Sequence, residues 1–410
     1  MSAEAIETFT ADQAAEYLGV TRGTLYSYAS RGLVVSLEGP GPSRSRRYLR
    51  ESLDAFLDRR ERNTQRDLAA LGALEWGRPL IDSQLCLIDD GRLYYRGEDA
   101  IELSRGESVE RVAALLWTGT AEALPPPGWG SVPISRGGRG QLAHPAATPP
   151  AAPVVDRLAR HLLDAAAGSI VTPAAAPEVI VQAAWGVLDG LYAAAGAVGE
   201  GSLAERLAAG WGTERVDDLR AALVLCADHE LNISSFTARC VASADARVEQ
   251  ALLAALCALR GRRHGGATER AGMLLDDAAR DGAAAAAERA LTAGGALPGF
   301  GHPLYPHGDP RATELLDRCG ADAEDGPVGA LVDLVADQLG LAPNLDLGVA
   351  ALARSLGLPD GAALGVFALG RSVGWIAHAI EAGRDGRLIR PRSRYTGPPP
   401  ERPPQEPPPA

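Results

Sequence analysis

Residues 260–269 read Arg-Gly-Arg-Arg-His-Gly-Gly-Ala-Thr-Glu and place one imidazole, that of His264, at the entrance of a helix predicted over residues 271–280. The two glycines after it allow backbone and ligand to approach closely. A helix N-terminus disfavours the imidazolium, so a neutral ring could donate a hydrogen bond to an oxygen that gains negative charge, as in an enolate. The alternative is a purely structural histidine in a helix-entry turn.

Length and composition indicate a globular chain. Its 410 residues, 46% of them hydrophobic, suit two or three domains. The 40 basic residues are all arginine, and the net charge of −12 argues against a chain that coats nucleic acid along its whole length. The charge is uneven, because residues 1–66 hold 10 arginines and 9 acidic residues.

Cysteine usage and hydropathy favour a cytoplasmic protein. The five cysteines are scattered and form no Cys-x-x-Cys pair, which indicates reduced thiols instead of disulfides or a zinc site. The N-terminus lacks the basic-then-apolar pattern of a signal peptide. The most apolar long run, residues 179–198, contains Gln182 and Asp189 and predicts a buried helix in preference to a membrane span.

The N-terminal residues show two short helices followed by a small wing. Thr10 and Gln13 form a capping-box start, and a second helix is predicted over residues 22–30. A tight glycine turn between short helices is typical of a helix-turn-helix. The following pattern predicts a strand over 33–37, a Gly-Pro turn over 39–42, a basic strand over 43–48 and a helix over 50–62.

Residues 1–66 resemble the winged helix-turn-helix of the MerR and excisionase group. In that group the second helix enters the major groove and wing arginines contact phosphates. The alternative is a protein-contact module whose arginines are solvated. The resemblance implies DNA contacts from Arg22, Thr24, Tyr26 and Tyr28 on the helix and from Arg44, Arg46 and Arg47 on the wing.

The middle of the chain is less informative. Residues 81–97 predict a short β-hairpin turned at Asp90-Gly91, followed by amphipathic helices over 100–103 and 109–117. Residues 120–180 are rich in proline and alanine and predict a loop with short embedded helices. Beyond residue 180 the chain is predicted to be mostly helical, and residues 396–410 form a Pro-rich tail that is predicted to be disordered.

Arg371 is predicted to carry a buried positive charge. It lies in a helix that is apolar nearly all round and has no acid at i±3 or i±4, so its buried charge needs a partner. A bound carboxylate or an acid from elsewhere in the core would serve. Further polar groups stand in short motifs: His229 in Asp-His-Glu, His302 and Arg311 in the loop 298–311, Asp346 at a helix start, and Arg392 near the end. By itself, Asp346 also fits an ordinary helix N-terminal acid.

Taken in order, these motifs resemble citrate synthase, closely over residues 220–395, fairly over 81–118 and weakly over 119–210. The resemblance implies an all-α citrate synthase fold, with a large and a small helical domain, preceded by the small winged helix-turn-helix domain. Members of the family work as homodimers in which an arginine at the position of Arg392 reaches the partner's site. The implied divisions are residues 1–66 for the winged helix-turn-helix, 67–266 and 346–395 for the large domain, 267–345 for the small domain and 396–410 for the tail.

The resemblance also implies an acyltransferase that converts the acyl group to an alkyl group on transfer. Asp346 would be the general base on the methyl group of acetyl-CoA, neutral His264 would hold the thioester oxygen, and His302 would polarise or protonate the ketone of oxaloacetate. No metal and no tightly bound cofactor are implied. Oxaloacetate would be bound by His229, Arg311, Arg371 and Arg392, and CoA by backbone contacts of Gly299, Phe300 and Gly301.

The sequence departs from the family pattern at Pro303 and Pro306, where many members carry Arg and Lys, and at Leu347, where an aromatic is common. The acyl substrate stays open between acetyl-CoA and propionyl-CoA, the substrate of 2-methylcitrate synthase, because one methylene is worth only about 10–200-fold in an apolar pocket. A third interpretation is a DNA-binding transcription regulator that uses a citrate-synthase-like body as a metabolite sensor.

Overall fold

The computed structural model describes residues 8–38, 46–57, 81–120, 152–294, 297–393 and 395–398. The chain divides into two compact units, Met1–Asp82 and Ser83–Ala410, each of which is described by itself. The predicted boundary between residues 66 and 67, the predicted turn at 39–42 and nearly all of the predicted C-terminal tail lie outside the described residues.

The N-terminal unit has three strands and three helices around a small core. They are β1 (Thr8–Phe9), α1 (Ala11–Leu18), α2 (Arg22–Ser30), β2 (Ser36–Glu38), β3 (Arg46–Leu49) and the helical residues 50–57 (α3). The strands pair antiparallel in the order β1-β3-β2. The capping box at Thr10 is present as predicted, and Gly19 ends α1 in the left-handed conformation with φ 63°. The two helices of the predicted helix-turn-helix are thereby confirmed.

Two details of the wing differ from the prediction. Strand β1 was not predicted, because two residues are too few to show a strand pattern in the sequence. The strand predicted over 33–37 begins only at Ser36, because the N–H of Leu33 still donates to the carbonyl of Tyr28 at the end of α2, over 2.9 Å. Leu33 therefore closes the helix and does not open the sheet.

The C-terminal unit begins with the predicted hairpin. Strand β4 (Cys86–Asp89) pairs antiparallel with β5 (Arg92–Tyr95), which in turn pairs with β6 (Glu98–Asp99). Asp90 and Gly91 have φ 47° and 72°, as a two-residue hairpin turn with both central residues at positive φ requires. The predicted turn at these two residues is confirmed.

Helices form the rest of the described C-terminal unit. Helix α10 packs against α11 and α18, and α17 packs against α12 and α14. The helices are α4 (Ala100–Gly106), α5 (Val109–Thr118), α6 (Val154–Gly168), α7 (Pro177–Ala195), α8 (Leu203–Trp211), α9 (Val216–Leu225), α10 (Ile233–Ser243), α11 (Val248–Leu259), α12 (Gly266–Asp281), α13 (Ala283–Gly294), α14 (Pro310–Cys319), α15 (Ala321–Glu324), α16 (Pro327–Leu339), α17 (Leu345–Ser355) and α18 (Ala362–Asp385).

The prediction of a loop with short helices over 120–180 was wrong where the structure describes it. Helix α6 is 15 residues long and buries Val154, Val155, Leu158 and Leu162 along one face. These residues recur at helical spacing, but the proline-rich composition before them hid that pattern. Residues 121–151 of the predicted loop lie outside the described residues. The buried helix predicted over 179–198 is confirmed as α7.

Helix α18 is the centre of the C-terminal unit. It is long and apolar enough to cross a membrane by composition, but 94% of its most apolar window is packed inside the protein. Eight other described helices contact it, and the indole of Trp117 in α5 donates to the carbonyl of Val373 over 2.9 Å. One hydrophobic cluster runs through all these helices, so the division into a large and a small domain stays a prediction.

Two glycines allow the chain before α10 to approach α18 closely. A Cβ atom on Gly370 would lie 2.5 Å from the carbonyl oxygen of Leu223, and one on Gly374 would lie 2.3 Å from that of Ala227. The same hypothetical atom on Gly374 would lie 2.8 Å from Oδ1 of Asp228. A side chain at either position would push residues 223–228 away from the helix.

We expect Gly374→Ala to lower the free energy of unfolding by about 1–3 kcal/mol through overpacking, despite the better helix propensity of alanine. Gly272→Ala is the matched control, since a Cβ there meets nothing within 4 Å and should stabilise by up to about 1 kcal/mol. Urea unfolding followed by far-UV circular dichroism measures both. Equal effects of the two changes would contradict the close approach at α18.

Candidate active site

His264 lies in the turn before α12, which begins at Gly266, five residues earlier than predicted. A Cβ on Gly265 would lie 2.8 Å from the carbonyl oxygen of Leu259, so the turn can close only with glycine at this position. The His264 ring packs edge-on against Phe367 of α18, with ring centroids 5.9 Å apart. Gly265 thus allows the tight backbone turn that places the His264 ring against α18.

The imidazole of His264 is bonded on one side and is held neutral. Its Nε2 lies 2.8 Å from the hydroxyl of Ser234, which also accepts a hydrogen bond from the indole N–H of Trp375 over 3.1 Å. Burial, followed by the positive charge of Arg371, lowers the pKa of His264 to about 3. The predicted neutral state agrees with this pKa, and burial and the charge of Arg371 are two causes of it that the sequence analysis did not name.

His229, His302 and Tyr305 form a cluster of rings. The ring centroids of His229 and His302 are 5.1 Å apart, and those of His302 and Tyr305 are 5.0 Å apart. The Tyr305 hydroxyl lies 3.0 Å from Nε2 of His229. Burial lowers the pKa of His229 well below its usual range, and the charges of Arg311, His302, Arg371 and His264 act in the same direction. Four of the predicted site residues therefore lie within electrostatic reach of His229.

A backbone N–H fixes the tautomer of the neutral His302 ring. Its Nδ1 accepts a hydrogen bond from the N–H of Leu304 over 3.1 Å, so the neutral ring carries its proton on Nε2. Burial and then the charge of Arg311 lower the pKa of His302 to about 4. His302 is thus a neutral donor through Nε2 at neutral pH.

Asp346 is the second residue of α17. Asn344 caps this helix and accepts from the N–H of Asp346 over 3.0 Å, while the hydroxyl of Thr268 in α12 donates to Oδ1 of the Asp346 carboxylate. Burial raises the pKa of Asp346 to about 6, although the Thr268 hydrogen bond and the charges of Arg311 and Arg371 oppose the rise. The carboxylate is therefore a stronger base than an ordinary exposed aspartate.

The loop that carries His302 is joined to the segment before Asp346. The N–H of Gly301 donates to the carbonyl of Ala342 over 2.8 Å, the N–H of Asn344 donates to the carbonyl of Gly299 over 2.9 Å, and the side chain of Asn344 donates to the carbonyl of Gly301 over 3.0 Å. These contacts occupy backbone groups of Gly299 and Gly301 that were predicted to contact CoA. Any CoA contact of Gly299, Phe300 and Gly301 must use their other backbone atoms.

Arg311 is already paired inside the protein. Its Nε and Nη2 donate to the two carboxylate oxygens of Asp309 over 2.9 and 2.7 Å, and the two side chains are almost fully buried. The N–H of Leu345 also donates to Oδ2 of Asp309, over 3.1 Å. The Nε–Nη2 edge of Arg311 is therefore occupied by Asp309, and its predicted contact with oxaloacetate, which stays a prediction, would use the Nη1–Nη2 edge.

Arg371 is 1% exposed, and its Nε donates to the carbonyl of Cys226 over 2.7 Å. Its guanidinium carbon lies 4.9 Å from the centroid of the Phe367 ring. Burial lowers the pKa of Arg371, and the nearest opposing charge is that of Asp228. Within the described residues no carboxylate reaches ion-pair distance of Arg371, so the two partners considered from the sequence, a core acid and a ligand, both stay open.

Arg392 does not join this cluster within its own chain. It is exposed in the coil after α18. Pro303 and Pro306 are exposed as well, whereas Leu347 is fully buried and packs against Gly299. The structure thus brings together His229, His264, His302, Arg311, Asp346 and Arg371, and it leaves Arg392 on the surface.

Sequence reasoning missed the four residues that hold the site in place. Tyr305 and Asp309 lie in the quoted loop 298–311, Ser234 follows the His229 motif, and Thr268 follows His264 by four residues. A signal was available for Asp309 and Thr268, since each is a polar residue close to a candidate charge. For Ser234 and Tyr305 the contact partners are 30 and 76 residues away in sequence, and only the fold shows them.

The residues predicted to contact DNA lie in the N-terminal unit. Arg22 is exposed but forms an ion pair with Asp12, which a phosphate would have to displace. Tyr26 is 49% exposed, Thr24 bonds to the Thr21 hydroxyl over 2.9 Å, and Arg46 and Arg47 lie on β3. Tyr28 is half-buried and packs against Phe56 beside the core, and its predicted DNA contact stays a prediction. Arg44 lies outside the described residues.

Two family models match the chain. The citrate synthase C-terminal domain matches residues 177–392, more than half of the chain, and a helix-turn-helix domain matches residues 8–61. The cluster of imidazole, carboxylate and guanidinium groups and the helices from α7 to α18 lie within the first match. The chain belongs to the citrate synthase family and carries a helix-turn-helix domain at its N-terminal end.

Curated relatives include both citrate and 2-methylcitrate synthases. The chain is 36% identical over 191 residues to citrate synthase 2 of Bacillus subtilis, covering 45% of this chain and 51% of that protein. It is 38% identical over 186 residues to a citrate synthase of Haloferax volcanii, covering 43% and 49%. It is 34% identical over 192 residues to 2-methylcitrate synthase 2 of Corynebacterium glutamicum, covering 44% and 50%. The chain therefore spans about half the length of the curated relatives it matches.

Solved structures match over more of the chain. Citrate synthase from Thermotoga maritima superposes with a TM-score of 0.64 at 27% identity, covering 78% of this chain and 94% of that chain. Citrate synthase from Thermoplasma acidophilum, solved with carboxymethyl coenzyme A and oxaloacetate, superposes with a TM-score of 0.65 at 24% identity, covering 80% and 97%. The second match supports the fold alone.

The lowered pKa of His264 predicts a pH-dependent contribution to stability. The folded ring titrates at about 3 and an unfolded one at about 6.5, so the unfolded chain binds more protons between these values. As pH falls below about 6.5, wild type should lose about 1.4 kcal/mol per pH unit relative to His264→Gln. Urea unfolding from pH 8 down to pH 5 measures this difference. It should be constant above about pH 7, and a constant difference throughout would show that His264 titrates normally in the fold.

Proposed function

We propose that the protein is a citrate synthase that condenses acetyl-CoA with oxaloacetate and releases citrate and CoA. The observation that carries the proposal is the convergence of Asp346, His264 and His302 around the guanidinium groups of Arg311 and Arg371. The pKa directions add support, since two imidazoles are held neutral and one carboxylate is a strengthened base. Groups whose surroundings move their pKa values in opposite directions are typical of acid–base catalysis.

In the first step Asp346 takes a proton from the methyl carbon of acetyl-CoA. The electron pair of the broken C–H bond moves into the new carbon–carbon double bond, and negative charge develops on the thioester oxygen. His264 donates a hydrogen bond to that oxygen. For this the Ser234 hydroxyl must donate to Nε2 of His264, so that the neutral ring carries its proton on Nδ1. The indole N–H of Trp375 occupies an acceptor lone pair of that hydroxyl, and Oδ1 of Asn232, at 2.7 Å, competes with His264 for its single proton. The proposed role of His264 requires the serine to donate to the imidazole.

In the second step the enolate carbon attacks the ketone carbon of oxaloacetate. The ketone oxygen becomes a hydroxyl by taking the Nε2 proton of His302, and the proton that Asp346 removed from the methyl carbon returns through solvent to replace it on the ring. His229 and the guanidinium groups of Arg311 and Arg371 hold the oxaloacetate carboxylates. Water then attacks the citryl thioester, and the carbon–sulfur bond breaks to give citrate and CoA. The protein is proposed to need no tightly bound cofactor, with the acyl-CoA as its substrate.

We further propose a homodimer in which Arg392 completes the partner's oxaloacetate site. Arg392 is exposed on its own protomer, which suits a residue that acts in another. Exposed apolar side chains such as Leu163 and Ile170, at 62% and 89%, would be covered by such an association. A cytoplasmic location agrees with the free cysteines and with the substrates.

The acyl preference is a narrower part of the same proposal. Relatives of this chain carry the names of citrate synthase and of 2-methylcitrate synthase. Leu347 is buried beside Asp346 and packs against Gly299, so an aliphatic side chain stands next to the base. Propionyl-CoA is therefore the alternative substrate, and the product would be 2-methylcitrate.

A steady-state assay of CoA release with acetyl-CoA or propionyl-CoA and oxaloacetate tests the proposal. Asp346→Asn should lower kcat by about 10²–10⁴-fold because it removes the base. Oxaloacetate binding by calorimetry should stay near that of wild type. Asp360→Asn, an exposed carboxylate on the loop before α18, is the matched control and should keep full activity. An absence of CoA release with both thioesters would refute the enzyme, and an active Asp346→Asn would refute the base.

A second candidate function is a DNA-binding regulator that senses metabolites through the same body. The helix-turn-helix match over residues 8–61 and the exposed Tyr26 and Arg46 favour it. In this reading α2 would enter the major groove and β3 would contact phosphates, and a dimer would present two such modules to a two-fold site. Catalysis and DNA binding are compatible in one chain.

Gel-shift titration against the upstream region of the protein's own gene tests DNA binding. The double change Arg46→Ala with Arg47→Ala should weaken binding and lower the salt slope by about 2, through loss of two phosphate contacts. Arg280→Ala with Arg289→Ala makes the same change of charge on α12 and α13 and should have no effect on the shift. No shift at low salt for wild type would end this candidate.

A further inference from the structure

The hydroxyl of Thr268 donates in a different direction from those of three other threonines in the described helices. A threonine in a helix commonly donates its hydroxyl proton to the carbonyl four residues earlier. Thr118, Thr237 and Thr292 do so, with distances of 2.8, 2.7 and 2.8 Å. The same geometry would direct Thr268 to the carbonyl of His264. Its hydroxyl donates instead across to α17, to Oδ1 of Asp346.

We propose that Thr268 is a positioning residue that holds Oδ1 of Asp346 and so assigns proton transfer to Oδ2. The inference rests on the proposed function, in which Asp346 is the base. Thr268 is fully buried, so water cannot replace its hydroxyl in this contact. Thr268 lies four residues after His264, in α12, and Asp346 lies in α17. The hydrogen bond between Thr268 and Asp346 therefore connects the segment that carries His264 to the helix that carries the base.

The backbone of Asp346 is fixed separately, which leaves the carboxylate orientation to Thr268. Asn344 accepts from the N–H of Asp346, and the N–H of Leu345 donates to Asp309. Neither contact touches the carboxylate oxygens of Asp346. Within the described part of the chain, the Thr268 hydroxyl is the side-chain donor that bonds to this carboxylate. The hydroxyl donates to Oδ1 more strongly when the carboxylate is ionised than when Oδ2 is protonated, so the bond stabilises the basic form.

Other charges also act on Asp346, and they remain in place when Thr268 changes. Arg311 and Arg371, from α14 and α18, lower the pKa of Asp346, and Asp309 raises it. Burial raises it further, and the Thr268 bond opposes that rise. Removal of the hydroxyl alone should therefore raise the pKa of the base. The arginines that would bind oxaloacetate are not bonded to Thr268.

The test compares Thr268→Val, which keeps the shape of the side chain, with Thr268→Ser, which keeps the hydroxyl. A hydrogen bond to an ionised carboxylate favours it over the protonated acid by about tenfold to hundredfold. Thr268→Val should therefore raise the pKa of the acid limb in the pH profile of kcat by about one to two pH units. Through this shift its kcat at pH 7 should fall by about two- to tenfold, while KM for oxaloacetate stays near that of wild type. Thr268→Ser should restore the wild-type profile. Thr292→Val, at an exposed position of α13, is the matched control and should change neither quantity.

An unshifted acid limb in Thr268→Val, or an equal shift in Thr268→Ser, would overturn the proposal and leave Thr268 a packing residue. Thr268→Ala provides a second side chain without a hydroxyl if valine prevents folding. Infrared titration of the Asp346 carboxyl, identified by difference from Asp346→Asn, measures the same shift without turnover. If wild type releases no CoA, the proposed function fails, and the titration still decides whether Thr268 controls Asp346.

Discussion

The buried guanidinium of Arg371 carries a charge that the surrounding helices and loops of the C-terminal unit must compensate. An isolated charge inside a helix that is apolar all round costs several kcal/mol unless its surroundings compensate. The carbonyl of Cys226 and the face of Phe367 supply part of that compensation. They can do so only because Gly370 and Gly374 let the chain at residues 223–228 approach α18. In the proposed function a carboxylate ligand supplies the remainder, and Asp228 is the core acid whose charge acts most on Arg371.

The same desolvated surroundings set the protonation states of the reacting groups. Burial lowers the pKa of His264 to about 3 and raises that of Asp346 to about 6, since it penalises the charged form of each. The cation of Arg371 reinforces the first change, and the cations of Arg311 and Arg371 moderate the second. One arrangement of buried positive charge therefore keeps imidazoles neutral as donors and keeps the carboxylate available as a base near neutral pH.

Local chemistry made much of the fold predictable. The capping box at Thr10, the turn at Asp90-Gly91 and the helix over 179–198 involve residues close in sequence, and the structure confirms them. Helix α6 was missed because proline and alanine in the preceding residues obscured its apolar spacing. The pairing of β1 with β3 joins residues about 40 positions apart, and pairing over such a separation leaves no local pattern.

The sequence by itself determined which chemical groups are present, their order, and the family whose motifs they match: His264, His302 and Asp346 are all readable in it. Tertiary structure decided how those groups are paired. Only the packed helices bring the Thr268 hydroxyl to Asp346, the Tyr305 hydroxyl to His229 and the charge of Arg371 to His264. The physical reason is that solvent exclusion and hydrogen-bond geometry depend on neighbours distant in the chain, and these set the pKa and direction of each group.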